Sequence, residues 1–358
     1  MHCRRLILIR MLSLRITIEN HYMRNLVFLS FILLGWMSSI AQSSLAGKKI
    51  CIDPGHGGTA GTDHYRVGKS GEREEWINLR VALLLKKQLE EKNAVVFLTR
   101  STDSAVELGA RGVLAAALKV DVFISIHHNA TADSSVNFPI IYFHGAASEN
   151  KAGVRLGRLL ARTFREDFYA SNVPVSLVSD YCIFPEKGAR VLRDSYGIPG
   201  VLAEASFFTN EAEENKLKQE RHNIDEAAAY CRALVSFFET KPPAIEPKKL
   251  PGLIPVFPVL QEADRMKPEA LGWRDDFEKA LELFGKHDST TIRTSFELFT
   301  RSARSFPDSY AAGKCHEYRA EILRKWGRMG DAATETVRTR EFYVMSGPLP
   351  KKRANKRQ

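Results

Sequence analysis

The sequence predicts an α/β fold: a mostly parallel twisted sheet flanked by helices, followed by a small all-α C-terminal region. Three observations predict it. Short apolar runs and amphipathic stretches alternate from Gly47 to about residue 240, the pattern of strands joined by crossover helices. Six prolines then fall within residues 241–260; proline lacks a backbone donor and stiffens the chain, so this stretch is a linker. Beyond it, residues 261–345 show helical periodicity alone.

The elements follow in order. "KKICIDPGHGG" is a short apolar strand that breaks into a Pro/Gly turn. "EWINLRVALLLKKQLEEK" spaces its apolar residues by three and four and is an amphipathic helix. "AVVFLTR" is a second strand, "AVELGARGVLAAALK" a second helix, and "DVFISIHHNA" a third strand, followed by the strand "FPIIYFHG". "KAGVRLGRLLARTFREDF" is helical, "GVLAEASFFTN" a further strand, and "IDEAAAYCRALVSFFE" a closing helix. After the linker, four helices with short turns are expected in "WRDDFEKALELFGKH", "TTIRTSFELFTRSARSF", "DSYAAGKCHEYRAEILRKWG" and "GDAATETVRTREFYV". Within them "FPDSYAAGKCHEYRAEILRKWGRMGDA" reads as a degenerate tetratricopeptide-like pair, against the plainer alternative of a helical cap. These helices are the candidate surface for a protein partner.

The net charge of +10 is located at the two ends. Residues 1–41 carry five Lys/Arg against one Glu, and the basic tail, residues 346–358, carries five and no acid. Without them the body holds 42 basic and 41 acidic residues. A phosphate-tracking stripe would lie within the fold, so no nucleic-acid partner is expected. From Met23, "MRNLVFLSFILLGWMSSIAQ" has an apolar run from Leu26 to Trp36 and small residues ending at Ala41. This is the pattern of a signal peptide over 1–41, cleaved after Ala41, with translation starting at Met23. The run is shorter than the roughly 20 residues that span a bilayer. An exported protein, periplasmic or in the cell envelope, is expected. Cys51, Cys182, Cys231 and Cys315 lie far apart without a CxxC pair, which argues against a sulfur-based zinc site.

Ligands of parallel sheets collect beyond the carboxyl ends of the strands, and His56, His127 and Glu204 fall at or near such ends. Glu74 begins the first helix. A carboxylate inside the apolar run "GVLAEASFF" is costly to bury and needs a partner or a task. Two neutral imidazoles and one carboxylate with an open fourth position form a common catalytic zinc set. A second carboxylate beside it can then carry protons between water and a leaving nitrogen. Each residue also has a plainer reading. His56 could serve a turn, Glu74 the helix dipole, and His127 a strand end, while Glu204 could pair with an arginine such as Arg193.

Residues 48 to about 240 resemble the zinc-dependent N-acetylmuramoyl-L-alanine amidases of the type 3 class. The resemblance rests on "ICIDPGHGG", "EREEWINLRVALLLKKQLE", "VFLTRSTD" with "LGAR", "FISIHHNA", and "GARVLR" with "PGVLAEASFFTNEAEENKL". It implies a zinc amidase catalytic domain over 47–240 with a Zn2+ cofactor. It selects His56, Glu74 and His127 as metal ligands, Glu74 over Glu72 and Glu75, and His127 over His128. Glu204 becomes the catalytic carboxylate. His128, on the other face of the pleat, is then structural or on the rim. The implied substrate is peptidoglycan, cut at the amide between the lactyl group of N-acetylmuramic acid and L-alanine. The competing expectations are a zinc hydrolase of another amide and a non-catalytic wall-binding module. Ala203 and Ala205-Ser206 stand where the family often has Val and Thr-Gly. The run from "IIYFHG" through "AASEN" into a helix leaves no room for the inhibitory helix that some relatives carry, so an open groove is expected.

Overall fold

A computed structural model describes residues 43–58, 66–286 and 288–346. The expected signal region and residues 347–358 of the basic tail lie outside the described residues. The strands are β1 (Lys49–Pro54), β2 (Val95–Leu98), β3 (Val122–Asn129), β4 (Ile140–Phe143), β5 (Ser176–Ser179), β6 (Gly200–Phe207) and β7 (Tyr343–Ser346). They form one sheet in the order β2-β1-β3-β6-β4-β5-β7. Four of the six pairings are parallel; β6 with β4 and β5 with β7 are antiparallel. The helices are α1 (Glu74–Glu90), α2 (Leu108–Leu118), α3 (Lys151–Thr163), α4 (Arg190–Asp194), α5 (Glu211–Leu217), α6 (Glu220–Phe238), α7 (Trp273–Phe284), α8 (Ser289–Ser305), α9 (Ala312–Lys325) and α10 (Met329–Phe342). Several begin on a side-chain cap: Asn150 accepts from the Gly153 amide, Asn210 from Glu213, and Asp288 from Thr290 and Thr291.

Strand alternation sorts the side chains onto two cores. On one face Ile50, Ile52, Val122, Ile124 and Ile126 pack with Val81 and Leu85 of α1, Leu156 of α3 and Leu234 of α6. On the other, Cys51, Phe123, Ile140, Tyr142 and Phe207 share a core with Trp273, Phe277, Phe299, Phe306 and Tyr310. The Phe138 ring lies 5.1 Å from Tyr310 and 6.0 Å from Phe306. Helices α7–α10 each pack on the next, and they continue the core of the sheet's second face instead of standing apart from it. The C-terminal region is helical up to Phe342; "YV", placed by periodicity in the last helix, instead begins β7, which closes the sheet edge along β5 with Leu177 opposite Met345. The linker is pinned too. Glu149 accepts from the backbone amides of Lys249 and Leu250 at 2.8 and 2.9 Å, and Ile245 bridges to Asn150.

Between β4 and α3 only residues 144–150 intervene, without a helix. Among the described residues no helix is long and apolar enough to cross a membrane, and the four cysteines there are buried and free.

Candidate metal centre and catalytic cavity

The site forms where β1, β3 and β6 run side by side in parallel and end. His127 on β3 and Glu204 on β6 are register partners, so their side chains leave the sheet on the same face. That is the face carrying Phe123 and Leu202, on the side of the C-terminal helices. Past the end of β1 the chain turns through Pro54-Gly55-His56, where His56 adopts a left-handed φ of 59°, a conformation that costs a non-glycine residue energy. Two buried arginines hold that turn. Arg100 donates to the carbonyls of Pro54 (2.9 Å) and Gly55 (2.8 Å). Arg111 donates to those of Pro54 (2.9 Å) and His56 (2.6 Å), and it also pairs with buried Asp53 at 2.8 Å.

Glu74 sits at the first turn of α1 and reaches both imidazoles. Its Oε1 lies 3.0 Å from His56 Nε2 and 3.0 Å from His127 Nδ1. The two rings meet edge to face with centroids 4.7 Å apart. One ligand atom from each of the three lies within 4.8 Å of the others. Glu72 and Glu75 are engaged elsewhere, with Arg80 at 2.8 Å and Arg73 at 2.5 Å. Burial pushes the His127 imidazole down to about 4, against the hydrogen bond with Glu74. Burial also works to raise the Glu74 carboxyl, but the charge of His56 and the hydrogen bonds of both histidines outweigh it and hold Glu74 well below the usual range. At neutral pH the trio therefore offers a carboxylate and a neutral His127 imidazole. Two nitrogens and one carboxylate oxygen, with a cavity before them, fit a tetrahedral divalent metal that keeps an open position.

Behind the trio lies a chain of groups outside the expected set. Asn78 Nδ2 donates to Glu74 Oε1 (3.2 Å) and to the Gly55 carbonyl (3.3 Å). Its Oδ1 meets His128 Nδ1 at 2.8 Å, and His128 Nε2 meets Glu226 Oε2 at 3.1 Å. His128 thus points away from the cavity into the α1/α6 core and orients Glu74 through Asn78. Arg193, the alternative partner weighed for Glu204, pairs with Asp194 at 3.3 Å. Asn78, Arg100 and Arg111 stand within the recognisable blocks "WINL", "LTR" and "LGAR". Only their burial shows what they do.

The cavity in front of the trio measures about 410 Å³ and is lined by His56, His127 and Glu204 together with Arg66, Tyr142 and Arg265. Gly55 is required for this geometry: a Cβ there would lie 2.3 Å from the His127 ring. Gly55→Ala is expected to displace that ring and weaken divalent metal binding by about 10–100-fold. Metal content after dialysis measures this, and circular dichroism checks that the fold persists; a variant that keeps its metal would show the ring has somewhere else to go.

The family profile described as N-acetylmuramoyl-L-alanine amidase matches residues 50–236. The "Probable cell wall amidase LytH" of Staphylococcus epidermidis is 30% identical over 208 residues, 56% of this chain and 62% of that protein. The N-acetylmuramoyl-L-alanine amidase LytC of Bacillus subtilis is 30% identical over 199 residues, 55% of this chain and 37% of that protein. The chain thus spans less than two thirds of the length of these curated relatives. Among solved structures, the CwlD amidase of Clostridioides difficile in complex with the GerS lipoprotein covers 55% of this chain and 100% of its own at 24% identity and a TM-score of 0.47.

Proposed function

The chain belongs to the N-acetylmuramoyl-L-alanine amidase family, and from that premise we propose that it is a zinc-dependent peptidoglycan amidase. In this reading it acts outside the cytoplasm on the bond between N-acetylmuramic acid and L-alanine. One observation carries the chemistry: His56, Glu74 and His127 converge on a single point, and Glu204 stands beside His127 in register on the same cavity.

His56, Glu74 and His127 would hold the ion. A zinc bound there supplies Lewis acidity, polarising a carbonyl and acidifying water near neutral pH. The protein's own groups do the rest. Glu204 accepts the proton of the attacking water and delivers it to the departing amide nitrogen, without which the amine is a poor leaving group. Asn78 and the His128 amide keep Glu74 aimed by hydrogen bonds to its Oε1, at 3.2 and 3.3 Å. Arg100 and Arg111 fix the backbone that presents His56.

The test is a digest of purified peptidoglycan analysed by mass spectrometry. The expected product is the intact stem peptide with a free L-alanine amine, and its formation stops on chelation and returns with zinc. Cleavage within the stem would mark a hydrolase of another bond, and binding without cleavage would mark a wall-binding module.

A further inference from the structure

The matched family region ends at residue 236, yet one wall of the catalytic cavity comes from later in the chain. Glu262–Met266 form a short 3-10 turn. Three bonds fasten this region. The Ala132 amide, just past β3, donates to the Arg265 carbonyl at 3.1 Å. Gln261 Nε2 donates to the carbonyl of Ile183, itself on the cavity wall, at 3.2 Å. Tyr142, which lines the cavity, donates its hydroxyl to Asp308. The turn thereby brings Arg265 to the wall that also carries His127 and Glu204. Only 2% of Arg265 is exposed. Asp308 holds it from behind, with both oxygens 3.0 and 3.1 Å from Nη1, and its guanidinium lies over the Phe306 ring at 5.4 Å.

A buried ion pair is weak evidence for stability, because apolar residues of similar volume often serve as well. Placing one against a catalytic cavity calls for another reason. The described lining of that cavity carries three arginines, Arg66, Arg190 and Arg265, against one carboxylate, Glu204. A rigidly held guanidinium in low dielectric is suited to a planar anion, above all a carboxylate.

We propose that Arg265, delivered by the C-terminal region and aimed by Asp308, is the specificity-determining residue that binds a carboxylate of the substrate's stem peptide. This rests on the amidase reading. The carboxylate meant is the one on the residue following L-alanine, close enough to the scissile bond to enter the same cavity.

The experiment compares two synthetic muramoyl peptides that differ only in whether that carboxyl group is free or amidated. They are assayed with the full chain as wild type, as Arg265→Lys, and as the double variant Arg265→Gln/Asp308→Asn. The double variant removes both charges together, so neither is left buried and unpaired. Wild type is expected to prefer the free acid in kcat/KM by about 10–100-fold, mostly through KM. The ratio should fall to about one in the double variant and to an intermediate value with lysine, which cannot form the paired contact. A folded double variant that keeps the wild-type ratio overturns the proposal, as does wild type that cuts both peptides equally well. Should the double variant fail to fold, Arg265→Lys decides, and an undiminished ratio there overturns the proposal. A merely structural role would slow both peptides alike and leave the ratio untouched. Wild type that releases no peptide from either substrate removes the amidase reading as well, which separates the two failures.

Discussion

Glu204→Gln is expected to lower kcat on peptidoglycan by about 10³-fold, within the 10²–10⁴ range that a positioned acid–base group supplies, while the protein retains its metal. The amide is nearly isosteric with the carboxylate, so β6 should keep its register with β3 and Gln should occupy the same place beside His127. What disappears is a group that can take up a proton and give it back. The trio of His56, Glu74 and His127 makes its contacts without Glu204, so metal content should match wild type. Two measurements on one sample decide the assignment: released stem peptide by mass spectrometry and zinc by elemental analysis. Undiminished turnover would remove Glu204 from the mechanism. Loss of zinc together with turnover would make it a ligand instead of a proton carrier.

Three of the candidate side chains stand out because they interrupt a pattern with a physical meaning, whereas Glu74 was separable from Glu72 and Glu75 only through the family resemblance. His127 ends an apolar strand, Glu204 breaks another, and His56 follows a strand within a Pro/Gly turn. Carboxyl ends of parallel strands converge whatever the residues between them. The pleat also explained the adjacent histidines, since alternate faces send His127 to the cavity and His128 to the α1/α6 core. Other parts left weaker traces. A buried arginine looks in sequence like any surface charge, so the hold of Arg100 and Arg111 on the turn appears only once their burial is known. β5 and β7 have four residues each, and their pairing joins Ser176 to Ser346, far beyond any local pattern. Amphipathic periodicity reveals that α7 and α8 have an apolar face but not what it meets. In this chain it shares one core with Phe138 and Phe207 of the sheet's second face.

That last juxtaposition determines how a chain cut after residue 240 should behave. The family resemblance suggests that such a fragment, holding every expected metal ligand and Glu204, is a complete enzyme. The structure leads to the opposite expectation: residues 42–240 alone should not yield a stable, soluble domain. Cutting there uncovers Phe138, Tyr142, Val178 and Phe207, each at most 5% exposed in the intact chain. At about 1.5–3 kcal/mol for each large apolar side chain returned to water, the loss is comparable with the whole stability of a typical domain, about 5–15 kcal/mol. The cut also frees β5 as an unpaired edge, a template for association. The fragment should therefore aggregate or melt at least 15 °C below the full chain, each kcal/mol being worth roughly 2–4 °C at this size. Size-exclusion chromatography and thermal denaturation report this directly, and a monomeric fragment with a sharp transition near that of the full chain would refute it. Because Arg265 and Asp308 leave with the same segment, a fragment that does fold should still cleave free and amidated peptides alike. The segment after the linker thus supplies Arg265 to the cavity wall and apolar side chains to the core beneath it, and what it adds to the fold and what it adds to recognition can be measured separately.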